Sequence, residues 1–136
     1  MYLKNALGFV WQIPQHVLAF LVYGYLKCLG NHITKEYYRG KTLYRFDKSW
    51  FGVALGQYIF LHNRCGLEAI AHEFGHCRQS MLFGPLYLIV IGIPSAVGNN
   101  LWDRVFHQAW PSKRRQQWYY SRYPERWADV LGGVVR

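Results

Sequence analysis

The segment HEFGH, at residues 72–76, constrains the fold strongly because it lies in a stretch with helical spacing of apolar residues, 65–83. On a helix, residues four apart project from one face, so the imidazoles of His72 and His76 can hold one metal ion. Glu73 lies about 100° round the helix from His72 and can flank that ion without binding it. The spacing therefore predicts two metal ligands and a general base.

A third ligand must come from elsewhere, because a catalytic zinc site usually has three protein ligands and a water. The residues after HEFGH are CRQSML, which excludes a third histidine at the spacing HExxHxxGxxH, and the only glutamate further along the chain is Glu125. Glu125 and Asp129 share one face of a helix predicted over about 125–131. We predict that Glu125 binds the metal and that Asp129 orients a ligand histidine. The alternative is a solvated face on which Glu125 pairs with an arginine.

SRYPERWADVLGG (121–133) resembles the pattern SRxxExxADxxGG of membrane metallopeptidases related to the heat-shock protease HtpX and the CaaX prenyl proteases. These gluzincin-type enzymes combine HExxH with a downstream ExxAD, and the two matching segments cover under a fifth of this chain. The family members are longer and have clearer transmembrane helices. The chain is also similar to small uncharacterised bacterial HExxH proteins. The resemblance implies one zinc ion with His72, His76 and Glu125 as its ligands and Glu73 as the base. It also implies that Asp129 supports a ligand and that Arg122 lies near the substrate.

These features together predict a zinc-dependent metallopeptidase. Glu73 would take a proton from zinc-bound water, whose hydroxide then attacks the carbonyl of a peptide or protein substrate. The substrate backbone could pair in extended form with the predicted strand 52–61. A second hydrogen-bond donor to the oxyanion is expected, and the sequence does not choose among Tyr119, Tyr120, Arg122, His62 and His107.

Three other functions remain open on the sequence. The first is a non-catalytic zinc-binding, membrane-associated interaction protein. The second is a zinc hydrolase that acts on a non-peptide amide or ester, and the third is a basic membrane-surface protein without a metal. An intact Glu73 argues against a purely structural zinc site, which has no use for a base.

The remaining pattern predicts a single α+β domain over residues 1–136. Residues 41–47 and 52–61 are typical of strands, residues 31–40 of a connection, and residues 113–122 of a helix. We expect a zincin-like arrangement, in which a small antiparallel or mixed sheet packs on the HEFGH helix and apolar helices contact a membrane.

Two apolar segments bear on that membrane contact. Lys4 and Lys27 lie near the two ends of residues 6–29. Polar residues between Gln12 and His16 interrupt the apolar run, so the segment is either a spanning anchor or an interfacial or core helix. Residues 81–98 are uncharged. Because the residues before and after them must meet at one metal, we expect a buried, re-entrant or interfacial segment.

Charge and cysteines bear on location. The formal net charge is +9 and no nucleic-acid-binding motif is visible, which favours an anionic membrane surface over nucleic acid. If residues 6–29 anchor the chain, the positive-inside tendency places the active site on the cytoplasmic side. Cys65 and Cys77 on one helix would lie about 18 Å apart along its axis, too far for a disulfide. Reduced thiols agree with a reducing compartment. The oligomeric state is not indicated.

Overall fold

The computed structural model describes residues 2–136, with side chains from Ala6 onward, so the side chain of Lys4 lies outside the described part. The α-helices of this part are α1 (Tyr2–Trp11), α2 (Ile13–Cys28), α3 (Leu67–Phe83), α4 (Trp102–Phe106), α5 (Ser112–Ser121) and α6 (Glu125–Gly132). Its strands are β1 (Ile33–Tyr38), β2 (Lys41–Phe46), β3 (Gly52–Leu55) and β4 (Tyr58–His62). Between α3 and α4 lie one short 3₁₀ turn and two π-helical stretches, Gly84–Leu86, Leu88–Gly92 and Pro94–Leu101.

The strands form a mixed sheet in the order β1-β2-β4-β3, so the predicted α+β class and small sheet are confirmed. Strands β1 and β2 pair antiparallel, β2 and β4 parallel, and β3 and β4 antiparallel. The connection predicted over residues 31–40 is wrong, because it contains β1. Strand β1 pairs only with β2 at the sheet edge and its middle residues are solvent-exposed, so it lacks the apolar alternation that marks a half-buried strand.

The single strand predicted over 52–61 is also wrong, because a tight turn divides it into β3 and β4. Gly56 adopts a φ of +67°, which glycine reaches without the penalty that other residues incur. A Cβ atom at this position would overlap the ring of His16 on α2. The turn therefore depends on a contact with a residue forty positions earlier, which the local pattern does not contain.

Helices cover both faces of the sheet. Leu43, Ile59 and Leu61 pack on α3 through Ile70 and Cys77. On the opposite face, Phe46, Leu55 and Phe60 pack on α2 through Ala19 and Leu26. This alternation follows from the two-residue period of a strand. It places the HEFGH helix directly against the sheet, as the sequence predicts.

Helices α3 and α6 approach each other closely enough to exclude side chains. A Cβ atom added at Gly75 would overlap the carbonyl oxygen of Ala128, and one added at Gly132 would overlap that of Ala71. Ala128 is itself fully buried. The predicted helices over 113–122 and 125–131 are confirmed within one residue at each end by α5 and α6. This close approach brings Glu125 and Asp129 to the histidines of α3.

Residues 6–29 form two helices that part at Gln12. The polar side chains that interrupt the apolar pattern face the protein: the amide of Gln15 donates to the Gly84 carbonyl, and Ser80 Oγ donates to Gln12 Oε1. Within residues 2–136, no helix combines the length and the apolar character that crossing a membrane requires. All three cysteines are free thiols.

Candidate metal centre

The side chains of His72, His76 and Glu125 converge at one buried point between α3 and α6. Nε2 of His72 lies 3.1 Å and Nε2 of His76 lies 3.0 Å from the same carboxylate oxygen, Glu125 Oε2. One ligand atom from each residue lies within 4.8 Å of the others. Nitrogen and oxygen ligands about 2 Å from a tetrahedral ion are themselves about 3 to 3.5 Å apart. The three side chains therefore have the spacing and the donor types to hold a metal ion.

The Nδ1 atoms of the two histidines, which face away from the point of convergence, are also hydrogen-bonded. Nδ1 of His72 lies 2.7 Å from Asp129 Oδ1, and Nδ1 of His76 lies 2.7 Å from Gln79 Oε1. When the Nδ1 atoms donate to these oxygens, the Nε2 atoms carry the lone pairs that a metal accepts. Asp129 thus lies where the sequence predicts it, beside His72, one of the possible metal ligands.

The carboxylate of Glu125, the third possible ligand, is also oriented by a hydrogen bond. Ser95 Oγ donates a hydrogen bond to the other oxygen of Glu125, Oε1, and leaves Oε2 to face the histidines. The carboxylate of Asp129 in turn accepts hydrogen bonds from the guanidinium of Arg136, at 2.7 Å from its Nε. His72, His76 and Glu125 therefore each have a hydrogen-bond partner outside the cluster, which limits the rotation of their side chains.

These contacts shift the pKa values of His72, Glu125 and Asp129. Burial lowers the pKa of His72, but hydrogen bonds to Asp129 and Glu125 outweigh it and raise that pKa to about 9. Burial raises the pKa of Glu125, but hydrogen bonds from His72 and His76 hold it well below its usual value. The pKa of Asp129 is likewise lowered, because hydrogen bonds from His72 and Arg136 exceed the effect of burial. All three shifts favour the charged forms of the side chains, a protonated His72 between two ionised carboxylates.

Metal binding to this cluster should depend steeply on pH. A metal ion must displace the proton that His72 keeps up to a pH of about 9, while Glu125 and Asp129 stay ionised well below neutrality. We expect the apparent Kd for Zn²⁺ to rise about tenfold for each unit by which the pH is lowered from about 9 to about 7. Competition with a chelating dye measures this Kd. The variant Asp129→Asn should flatten this dependence, because it removes the negative charge beside His72 that helps to raise the pKa of the imidazole. A Kd that does not change with pH would contradict the arrangement.

A groove of about 440 Å³ opens onto the cluster. His72, Glu73 and His76 lie at its polar end, and the remaining wall is mainly apolar, from β3 and residues 87–97. Glu73 is buried, and its burial raises the pKa of its carboxyl. A Cβ atom at Gly52 would lie 2.7 Å from Glu73 Oε1, so the absence of a side chain at this position of β3 leaves room for that carboxylate. Glu73 therefore faces the groove beside the possible ligands without belonging to their set.

Among the five side chains considered as second donors, the structure brings Tyr119 to the groove. Its hydroxyl accepts a hydrogen bond of 3.1 Å from Asn100, and burial raises its pKa well above the usual value, so the phenol stays protonated. Tyr120 packs edge-on against the ring of His72, with ring centres 5.1 Å apart, and the Arg136 guanidinium lies over its other side. Tyr120 therefore packs against His72 and limits the movement of its ring.

The other three residues lie outside the groove wall. The guanidinium of Arg122 lies over the ring of Trp118, 4.7 Å from its centre, so the arginine position implied by the resemblance is not at the groove. His62 is bonded to the backbone of Asp47 and Arg64, and His107 stacks on Trp110. Local contacts account for all three side chains.

The free edge of β3 forms part of the groove. Phe51 O accepts a hydrogen bond from His62 N, so the backbone of residue 51 faces β4. Along an antiparallel strand, the backbone groups of successive residues point alternately towards and away from the paired strand. The N–H and C=O of Gly52 and Ala54 therefore face away from β4. The Ala54 carbonyl already accepts a hydrogen bond of 3.0 Å from the Tyr87 hydroxyl. An extended backbone could therefore pair with Gly52 and with the Ala54 N–H.

Sequence reasoning did not identify three residues that hold the site, Gln79, Ser95 and Arg136. Gln79 could have been found, because it lies three residues after His76 on the same helix face. Ser95 lies in the middle of the apolar segment 81–98, and Arg136 is far from any motif, so only the tertiary fold reveals them.

No protein-family model, no curated protein and no solved structure matches this chain. A proposal for its function must therefore depend on the geometry and chemistry of the cluster.

Proposed function

We propose that this chain is a zinc-dependent metallopeptidase with a zincin-like active site. The observation that carries the proposal is the convergence of His72, His76 and Glu125 on one point, with Glu73 unattached beside them at the end of a groove. Two histidines and a glutamate are a ligand set of catalytic zinc sites, which keep a further position open for water. A structural zinc site would use a closed set of four protein ligands and no adjacent base.

The residues that would hold zinc are His72, His76 and Glu125, and the hydrogen bonds of Asp129, Gln79 and Ser95 orient them. A zinc ion bound there would supply Lewis-acid chemistry, polarising a carbonyl and lowering the pKa of water. These donors fit zinc better than calcium or magnesium, which prefer an all-oxygen set.

The chain's own residues would perform the remaining steps. The Glu73 carboxylate accepts a proton from the attacking water and returns it to the leaving amine, and its raised pKa suits both transfers. The Tyr119 hydroxyl, which burial keeps protonated, donates to the oxygen that becomes negatively charged. The free backbone groups of β3 orient an extended peptide without reading its side chains.

The decisive test is Glu73→Gln. We expect this variant to bind zinc like the wild type but to cleave an unfolded protein such as casein at least about 100-fold more slowly, because it lacks a group that can accept the proton. Zinc content measured by elemental analysis separates loss of the base from loss of the metal. The control is Glu36→Gln, an exposed glutamate on β1, which should cleave like the wild type.

Three outcomes would contradict the proposal. Equal cleavage by Glu73→Gln and the wild type would remove the assigned base. A zinc-loaded wild type that cleaves neither casein nor a peptide library would indicate a non-catalytic zinc protein. Turnover of amide or ester compounds alone would indicate a non-peptide hydrolase.

A further inference from the structure

Helix α2 exposes a stripe of large apolar side chains. The stripe repeats every three or four residues, at Ile13, Val17, the adjacent pair Phe20 and Leu21, and Tyr25, and Phe20 is 78% exposed. The opposite side of the helix is buried against the sheet. A contiguous exposed apolar stripe on a folded domain marks a surface that contacts a partner or a membrane.

A second stripe runs along the helical segment that follows α3. Its members also recur every three or four residues, and each is more than half exposed: Leu86, Ile89, Ile93, Val97, Leu101 and Val105. This regular exposure follows one side of the segment over five turns. Random surface apolar residues do not show such a period.

The two stripes adjoin. Trp11, the last residue of α1, donates from Nε1 to the Met81 carbonyl at 3.1 Å, and the amide of Gln15 on α2 donates to the Gly84 carbonyl. Leu18 of α2 lines the same groove as Val97. We call the surface formed by the two stripes the apolar face. Ile93 of the second stripe also lines this groove.

The charges at this face indicate its partner. Residues 6–35 contain no carboxylate side chain, and residues 74–105 contain one, Asp103, which pairs with Arg115. Exposed cations lie on or next to the two segments: Lys27 in the last turn of α2, Lys48 beside the end of α2 near Gly30, and Arg104 on α4. Among the described side chains, the ion pairs between a Lys or Arg and a carboxylate involve only Arg115 and Arg136. These cations are therefore available to an anionic partner.

We propose that the apolar face docks on an anionic lipid bilayer, with α2 and residues 86–105 lying in the plane of the interface. The apolar stripes enter the acyl boundary, and Lys27, Lys48 and Arg104 contact the headgroups. Trp11, Tyr25 and Trp102, each about half exposed, lie at the level that aromatic side chains favour. A second copy of the chain is a poorer partner, because it would bring cations against cations on a protein of net charge +9.

The test is co-sedimentation of the full chain with phosphatidylcholine vesicles, with and without phosphatidylglycerol. We expect the chain to sediment with the anionic vesicles, less with neutral ones, and less again at high salt. The double variant Phe20→Ser with Leu21→Ser should lower the partition coefficient about tenfold or more, and so should Ile89→Ser with Ile93→Ser. Circular dichroism confirms that each variant is folded.

The matched control is Leu67→Ser with Val130→Ser, which removes apolar side chains of similar exposure outside the face and should leave the partition unchanged. The proposal is overturned if the folded wild type stays in the supernatant with anionic vesicles. It is also overturned if the control pair weakens binding equally, or if ultracentrifugation shows a dimer that the Phe20 and Leu21 substitutions dissociate. Zinc and catalysis play no part in this assay, so its result is independent of the proposed peptidase activity.

Discussion

Replacement of Glu125 by glutamine is expected to weaken zinc binding at least about 100-fold. Loss of a residue that only orients a ligand costs about 10- to 100-fold in metal affinity, and loss of a direct ligand costs more. Glutamine keeps the shape of the side chain and can still accept the hydrogen bond from Ser95. It lacks the negative charge that faces His72 and His76, so the measured change reports on the carboxylate itself.

The measurement is competition with a chelating dye, together with thermal unfolding with and without zinc. The wild type should gain stability when zinc is added, and Glu125→Gln should gain little, because a ligand stabilises only the state that binds it. Asp129→Asn is the graded control, with an expected loss of about 10- to 100-fold. Wild-type affinity in Glu125→Gln would show that the third ligand lies elsewhere.

The second large effect is expected from Gly75→Ala at the contact between α3 and α6. The added methyl group would overlap the backbone of Ala128, which cannot move aside as a flexible side chain can. The two helices would have to separate, which we expect to cost about 3 kcal/mol of unfolding free energy. Because Glu125 lies on α6 and the histidines on α3, zinc affinity should fall as well.

Urea unfolding and zinc titration measure the two effects separately. Gly132→Ala should behave similarly, because its methyl group meets the carbonyl of Ala71 across the same contact. The control is Gly24→Ala on α2, where no atom lies within 4 Å of the new methyl group, and where alanine should stabilise the helix by up to about 1 kcal/mol. Equal stability of Gly75→Ala and the wild type would show that the helices are further apart than described.

The sequence predicts the helices around the site well, because the signals that mark a helix lie within the helix itself and next to its ends. The apolar period from residue 65 to 83 marks α3, and Gly84-Pro85 marks its end. The spacing of His72 and His76, and of Glu125 and Asp129, depends only on the pitch of a helix. These pairs could therefore be assigned to shared faces before their helices were placed together.

The sheet was harder to predict, because its edges depend on tertiary contacts. Strand β1 has the polar sequence ITKEYY, which suits an exposed edge but resembles a loop. The turn at Gly56 is fixed by the ring of His16. Neither feature produces a regular spacing of apolar residues in the sequence.

The hydrogen-bond partners of the site residues also depend on tertiary contacts, with one exception. The carboxylate of Asp129 could be assigned to a ligand histidine because it shares a helix face with Glu125. Ser95 could not, because nothing in an apolar segment indicates that one hydroxyl turns towards a carboxylate thirty residues later. Likewise, choosing Tyr119 over Tyr120 requires knowing which side of α5 faces the groove.

The hydrogen bond from Tyr87 to Ala54 also bears on solubility. Strand β3 is an edge strand, and an unpaired edge can add strands from other molecules and so begin aggregation. The phenol occupies one acceptor of that edge, and β3 is only four residues long. Indefinite strand addition is therefore interrupted at Ala54, while the end of the edge nearest Glu73 stays available. The same tyrosine that forms part of the groove wall thus blocks one position at which another strand could join the β3 edge.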